Sequence, residues 1–248
     1  MRWGVVVSAL AILPPNERCL ERRMFFLSDM LNKKLHLPKA GEALPGRARP
    51  IRTAVKHHVS KRLLKGPYPD GMEIALFAMG SFRAAEPLFW SVPGVWVTAV
   101  GYAGGQTPNP TGQEVSTGLT GHAETVQIVF DPGSVSYGEL LAIFFENHDP
   151  TQGMRQGADI GTFYRSAVFA ATEGQHAAAL AACEAYQAAL SKAGHARITT
   201  VIEPVSGFYF AEAEHQQYAA RNPGSRAELQ GTGVPFPGRA EPFPVFPA

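Results

Sequence analysis

Two segments rich in β-branched residues, 95–100 and 125–130, flank a long stretch that is rich in glycine and proline. Each of the two segments predicts a β-strand. The stretch between them, residues 101–121, contains the run GYAGGQTPNPTG. Connections of this length in a compact domain usually carry a function. The sequence therefore predicts two strands of one sheet and a functional loop between them.

Strand and helix signals alternate along the rest of the chain. Further strands are predicted at 72–78, 167–170 and 198–202, and helices at 22–34, 82–90, 136–146, 172–193 and 211–220. These elements interleave without a regular strand–helix–strand repeat. The pattern therefore favours an α+β fold, with a mixed β-sheet and helices packed around it.

Two helix starts carry a capping-box pattern, in which a Ser or Thr is followed three residues later by Glu or Gln. The pairs are Ser136 with Glu139 and Thr172 with Gln175. The second helix is alanine-rich and is expected to stop at Gly194. Pro87 falls within the predicted helix near residue 90, so we expect it in a first turn or at an irregular start.

Composition excludes several classes of protein. Hydrophobic residues make up 45% of the 248 residues and charged residues 17%, with a net charge of +1. These values are typical of a soluble globular protein, and we expect neither a nucleic-acid partner nor a membrane partner. Residues 1–70 carry an excess of basic side chains and the remainder an excess of acidic ones. We interpret the basic part as a solvated extension lying partly on an acidic surface; an anionic partner is the alternative.

Cysteine usage and the N-terminus bear on the compartment. Cys19 and Cys183 are the two cysteines, and their settings do not predict a disulfide framework. Residues 1–13 resemble a weak signal peptide without a well-placed cleavage site. The alternative is a later translation start, at Met24 or Met30. We expect the later start and a cytoplasmic protein.

Five segments, in this order, resemble the signatures of the A-type peptide methionine-sulfoxide reductase (MsrA) family. They are GSFRAAEPLFW (80–90), GYAGG followed by PNPT (101–111), TGHAE (120–124), NHDPTQGMRQGADIGTFYRSAV (147–168) and EHQQY (214–218). The likeness covers about residues 40–223. It implies a two-layer sandwich of mixed sheet and helices over residues 41–221, with a basic extension at 1–40 and a Pro- and Phe-rich tail at 222–248.

The resemblance also implies an activity, the reduction of methionine-S-sulfoxide in the repair of oxidative damage. In the family, a cysteine thiolate attacks the sulfoxide sulfur while a carboxylic acid protonates the oxygen. Methionine then leaves and a sulfenic acid remains, which a second cysteine and thioredoxin, or another thiol reductant, reduce. No bound cofactor and no metal are implied. Methionine sulfoxide, free or in proteins, is the implied ligand, and a monomer is expected.

Transferred to this chain, the resemblance places Ser81 at the nucleophile position and Glu124 at the position of the acid. Asp159 and Tyr164 match polar residues that orient the sulfoxide oxygen. Phe82 and Arg83 match the two walls of the methyl pocket, where Arg83 replaces a tryptophan. The implied site is therefore Ser81, Phe82, Arg83, Glu124, Asp159 and Tyr164.

Several features of the family site are replaced together. Gly112 stands where the family has a further tyrosine, and the tail after Cys183 contains no cysteine that could resolve a sulfenic acid. A serine hydroxyl is a weaker acid than a thiol and needs an adjacent base to act as a nucleophile. We therefore expect that thiol catalysis is lost in this chain. A non-catalytic protein that binds a sulfoxide or a small anion, or an enzyme with non-thiol chemistry, is the alternative.

Two alternative roles remain open for each of three candidate site residues. Ser81 either serves chemistry or caps a helix. Arg83 either recognises a ligand carboxylate or pairs with Glu86 or Glu124. Glu124 either protonates a ligand oxygen or is a structural carboxylate that accepts hydrogen bonds from the 101–105 loop.

Overall fold

A six-stranded mixed β-sheet forms the centre of the computed structural model, which describes residues 34–225 and 229–238. Its strands are β1 (Glu73–Met79), β2 (Val95–Ala103), β3 (Ala123–Phe130), β6 (Ser166–Ala170), β7 (Val201–Pro204) and β8 (Phe208–Phe210), in the spatial order β7-β6-β1-β3-β2-β8. A separate two-stranded ribbon consists of β4 (Arg155–Gln156) and β5 (Asp159–Ile160). The α+β fold with a mixed sheet is thereby confirmed.

Short and long α-helices accompany the sheet. They are α1 (Phe82–Ala85), α2 (Pro87–Trp90), α3 (Gly112–Ser116), α4 (Tyr137–Glu146), α5 (Glu173–Lys192) and α6 (Tyr218–Arg221), and a 3₁₀ turn spans Thr162–Tyr164. Within the described strands of the sheet, pairing is antiparallel except between β6 and β7, which run parallel. This parallel pair makes the sheet mixed.

The main core lies between the sheet and helices α4 and α5. Phe77 on β1 contacts Phe144 on α4, with 5.2 Å between ring centroids, and both side chains are fully buried. Phe145 on α4 in turn packs against Tyr186 on α5. Full burial of one such apolar side chain contributes about 1.5–3 kcal/mol, so these aromatic contacts fix both helices on this face.

The opposite face of the sheet is covered by the chain that precedes β1. Leu64 is fully buried there and packs with Val97, Ala99 and Val129. His57 is also buried, and an isolated bridge joins Lys56 to Leu63. This part of the basic stretch 1–70 is therefore not simply solvated, because it covers one face of the sheet.

Local capping signals are confirmed at α4 and in part at α5. Ser136 and Glu139 form the complete capping box at α4. Thr172 accepts from the backbone N–H of Gln175, but the Gln175 side chain accepts from Ala171 instead of closing the box. Its amide also donates to Ile74 on β1, and this long-range contact explains the departure.

Several boundaries differ from the sequence predictions. The helix expected at 82–90 is two short helices, with Pro87 at the first position of the second, as its missing N–H requires. The strand expected at 198–202 begins only at Val201, where pairing with β6 starts. The helix expected at 211–220 is limited to α6, because Gln217 before it has a left-handed backbone (φ 48°). The helix expected at 22–34 lies almost wholly outside the described residues.

The described parts of the tail, 222–225 and 229–238, lack regular structure, as predicted, but residues 229–238 are packed onto the domain. The Phe236 ring stacks on Phe145 and Tyr186, and its backbone N–H donates to Glu146. The hydroxyl of Tyr186 also donates to the Val234 carbonyl. The chain at 229–238 is therefore packed against the main core and is not a free arm. Within the described ranges, no helix is long and apolar enough to cross a membrane.

Candidate functional site

The turn between β1 and α1 presents Ser81. Gly80 precedes it with φ +97°, and a Cβ at Gly80 would lie 2.7 Å from the Gln156 side chain, so only glycine fits. Ser81 takes the N-cap position of α1 in an extended conformation, yet its side chain makes no capping hydrogen bond. The capping role considered for Ser81 is therefore limited to backbone geometry, and the hydroxyl remains available.

Glu124 reaches the same turn from β3. Its Oε2 accepts a hydrogen bond of 3.0 Å from the backbone N–H of Phe82, the residue after Ser81. Burial raises the pKa of this carboxyl to about 7, opposed by the Phe82 hydrogen bond and the Arg83 cation and assisted by the charge of Asp159. The expected donors in the 101–105 loop are not its partners. A carboxyl with this pKa can both donate and accept a proton near neutral pH.

Tyr164 and Asp159 face the same carboxyl from the loop that follows α4. Burial raises the pKa of the Tyr164 phenol, and the charges of Glu124 and Asp159 raise it further, whereas Arg83 opposes them. Asp159 is exposed and lies on the short strand β5. The structure therefore brings Glu124, Tyr164 and Asp159 to one place, with Asp159 at the rim.

Arg83 does not form either of the salt bridges considered for it. Its Nη2 lies 3.1 Å from Nδ1 of His215, and its guanidinium carbon lies 4.5 Å from the ring centre of Tyr218. In the part of the chain that the structure describes, no carboxylate lies within salt-bridge distance of it. The reading in which Glu86 or Glu124 neutralises Arg83 through a direct ion pair is wrong.

Glu86 is unavailable because a buried network occupies it. One oxygen accepts from Thr98 and from the Gln217 amide, and the other accepts from the Gln217 backbone N–H. His57 contacts the Thr98 hydroxyl at 3.0 Å. Burial raises the pKa of Glu86 to about 7. The carboxyl therefore ties α1 and α2 to the chain before β1 and to the chain before α6.

Tyr102 is a residue of this site that the sequence reasoning missed. It is paired with Glu124 across β2 and β3, and its ring lies 5.9 Å from that of Phe82. Its hydroxyl donates to Glu212, which also accepts from the Gly112 backbone N–H. A Cβ at Gly112 would lie 2.7 Å from the Tyr102 hydroxyl. Tyr102 and Glu212 therefore border the place where the resemblance implies a tyrosine at 112.

A pairing argument could have identified Tyr102 from the sequence. If strand 95–100 is extended by three residues, Tyr102 comes opposite Glu124 in an antiparallel pair, and opposite side chains lie on the same face. Glu212 had no such signal, because its position depends on the turns after β8.

The remaining polar residues of the motifs have structural partners. His122 bonds to the Thr107 carbonyl and accepts from the Gly105 N–H, and His148 bonds to the Phe144 carbonyl and the Ser166 hydroxyl. Both histidines are therefore buried residues held by hydrogen bonds within the domain. No group of three His, Cys, Asp or Glu in the described ranges is arranged to hold a metal ion.

Comparison with known proteins decides the family. The sequence model described as "Peptide methionine sulfoxide reductase" matches residues 73–233. The chain belongs to the peptide methionine sulfoxide reductase family. It is 58% identical over 210 residues to the peptide methionine sulfoxide reductase MsrA of Agrobacterium fabrum, an alignment that covers 84% of this chain and 97% of that protein.

Other members of the peptide methionine sulfoxide reductase family show similarity over the same part of the chain. MsrA 1 of Caulobacter vibrioides is 58% identical over 207 residues, covering 84% of this chain and 95% of the relative. The solved structure of methionine sulfoxide reductase A of Corynebacterium diphtheriae superposes with a TM-score of 0.72 at 41% identity. It covers 81% of this chain and 99% of that one. The similarity therefore extends over nearly the whole length of each relative.

Proposed function

We propose that this chain binds methionine-S-sulfoxide at the Glu124 site and does not reduce it by the thiol route. The observation that carries the proposal is the Glu124 carboxyl, held at the Ser81 turn by the Phe82 N–H at 3.0 Å. Its raised pKa keeps it protonated below about pH 7. A protonated carboxyl donates a hydrogen bond to a sulfoxide oxygen, which is a strong acceptor.

Ser81 occupies the place that the family resemblance gives to the attacking thiol. In the described part of the chain no base is hydrogen-bonded to this hydroxyl, which makes no capping contact either. Without a base, a hydroxyl is a poor nucleophile. Attack by serine would also leave no sulfenic acid, so a thioredoxin-type reductant would have nothing to reduce. The proposed protein therefore still binds the sulfoxide but does not reduce it through a thiol.

Cys183 is the one cysteine in the described part of the chain, and it does not fit the role of a replacement nucleophile. It lies on α5, half-buried and packed against the main core. Burial raises the pKa of its thiol. Reactive cysteines have a lowered pKa that populates the thiolate, so this thiol is unreactive at neutral pH.

The test combines an activity assay with a binding assay. The protein is incubated with a methionine-S-sulfoxide peptide and dithiothreitol, and methionine is quantified; the same peptide is titrated by calorimetry. We expect binding without methionine. Turnover at the rate of an ordinary family member would show that the proposal is wrong, and Cys183→Ala would then test whether Cys183 supplies the thiol.

Restoration of the thiol gives an independent test of the site. Without added reductant, Ser81→Cys with Arg83→Trp is expected to form one methionine and one cysteine sulfenic acid per chain, because oxygen moves from the substrate sulfur to the thiol. Addition of Glu124→Gln should remove this single turnover. If the double variant folds and binds but forms no methionine, Glu124 does not lie where the proposal requires it.

A further inference from the structure

Arg83 is a positioned cation without a charged partner in the described chain. Nη2 contacts Nδ1 of His215, and the face of the guanidinium lies over Tyr218. Burial and the Arg83 charge lower the pKa of His215, so this imidazole remains a neutral acceptor at neutral pH. The contact with His215 uses one N–H donor of the guanidinium, and the contact with Tyr218 uses the flat face of the group. The other N–H groups of the guanidinium are therefore free to bind a ligand.

The Arg83 guanidinium and the Glu124 carboxyl lie around the same aromatic residue, Phe82, which donates to Glu124 and packs against the histidine that Arg83 contacts. The Phe82 ring is 5.5 Å from that of His215, which contacts Arg83, and 5.9 Å from that of Tyr102, which lies opposite Glu124 on the neighbouring strand. Arg83 follows Phe82, whose N–H holds Glu124, and both residues are on the first turn of α1. A ligand whose oxygen reaches Glu124 therefore lies within reach of Arg83.

The acidic groups that the structure describes near this cation do not form an ion pair with it. Glu212 is occupied by the Tyr102 hydroxyl and the Gly112 N–H, and it lies on the far side of His215, 3.8 Å from Nε2. Glu124 is protonated below about pH 7. Asp159 is exposed at the rim, where solvent screens its charge. Arg83 thus provides an anion-binding position beside a neutral hydrogen-bond donor.

We propose that Arg83 binds the carboxylate of a methionine sulfoxide whose carboxyl group is free, while Glu124 donates to the sulfoxide oxygen. The guanidinium forms paired, charge-assisted hydrogen bonds with a carboxylate. A methionine sulfoxide inside a peptide has an amide at that place, which leaves the half-buried cation partly desolvated and unpaired. The ligand class is therefore the free amino acid or a C-terminal methionine sulfoxide. This inference rests on the proposed sulfoxide-binding function.

Two probes separate the carboxylate from the sulfoxide. N-acetyl-L-methionine-S-sulfoxide carries a free carboxylate, and its N-methylamide differs only in lacking that charge. Calorimetric titration at pH 6, where Glu124 is protonated, is expected to show at least about tenfold tighter binding of the acid, the ratio for one charge-assisted hydrogen-bond pair. Free methionine sulfoxide and a peptide ending in methionine sulfoxide then distinguish the two natural sources.

Arg83→Gln keeps a planar, polar side-chain end and removes the charge. We expect it to abolish the preference for the acid and to change the affinity for the N-methylamide less than about twofold. Arg62→Gln is the matched control, because Arg62 also lies over an aromatic ring, that of Trp96, but on the exposed chain before β1. It should leave both affinities unchanged. Far-ultraviolet circular dichroism verifies that each variant is folded.

The outcomes separate this inference from the function on which it rests. Equal binding of acid and amide to the unaltered protein would overturn the role of Arg83 and leave sulfoxide binding in place. Retention of the acid preference in Arg83→Gln would likewise overturn it. Binding of neither probe would overturn the sulfoxide-binding function and the carboxylate site together.

Discussion

Replacement of Glu124 by glutamine should change how the stability of the protein depends on pH. The carboxyl has a pKa of about 7 in the folded chain, against 4.5 for an unperturbed glutamate. Between these values the unfolded chain is ionised while the folded chain holds the proton. Unfolding then releases a proton, so the free energy of unfolding falls as pH rises from about 4.5 to about 7 and is constant above that.

The magnitude follows from the two pKa values. At about 1.4 kcal/mol for each pKa unit, the interval from 4.5 to 7 corresponds to about 3 kcal/mol. Glu124 keeps some contact with solvent, so this figure is an upper limit. The glutamine side chain cannot ionise, and its oxygen can still accept the Phe82 N–H. Part of this effect occurs below pH 5, so relative to the unaltered protein Glu124→Gln should gain up to about 2.5 kcal/mol between pH 5 and pH 8.

Urea denaturation followed by tryptophan fluorescence at several pH values measures this difference. Glu86→Gln is an informative companion, because burial raises the pKa of Glu86 to about 7 as well. It should remove a similar pH dependence but also lose the hydrogen bonds to one of the two carboxyl oxygens, because an amide keeps a single acceptor oxygen. If the stability difference between Glu124→Gln and the unaltered protein is the same at pH 5 and pH 8, the carboxyl is not protonated in the folded chain at neutral pH, and the reasoning fails.

Three further substitutions test the fold around the site. Phe236→Ala should cost about 2 kcal/mol in urea denaturation and remove hydrogen-exchange protection from 229–238, since the ring is partly exposed but stacked on two core aromatics. Gly80→Ala should cost at least about 2 kcal/mol, because φ is +97° and the added Cβ would clash with Gln156; unchanged stability would show that this turn is not constrained. Thr98→Val removes a donor to Glu86 and should destabilise by about 1–3 kcal/mol, more at pH 8 than at pH 5, measured by denaturation at both.

Elements with local signals were predictable from the sequence. Helix α4 begins where Ser136 and Glu139 form a capping box and where an apolar stripe starts. The same box, Thr111 with Glu114, starts α3 inside the Gly- and Pro-rich loop, and it was missed because it follows a proline and has no apolar stripe. A one-turn helix therefore forms here without an apolar stripe, because the capping box and Glu212 together bind the N–H groups of its first turn.

Elements that depend on distant partners were not predictable. Strand β8 exists because Phe208–Phe210 pairs with the end of β2, and nothing within that segment requires the pairing. The tail is packed because α4 and α5 place Phe145 and Tyr186 side by side, which creates the surface that receives Phe236. The family resemblance indicated the candidate site residues, whereas their contacts depend on how remote segments pack together.

The two readings of Arg83 illustrate why the partners decide the chemistry. Glu86 is three residues after Arg83, a spacing that favours an ion pair on a helix. Instead α1 ends before Glu86, and the carboxylate turns inward to Thr98 and Gln217, which fix it from β2 and from the chain before α6. The hydrogen bonds that anchor α1 thus occupy the Glu86 carboxyl, and Arg83 contacts His215 instead. The proposed binding position for a ligand carboxylate is therefore a consequence of how this helix is anchored.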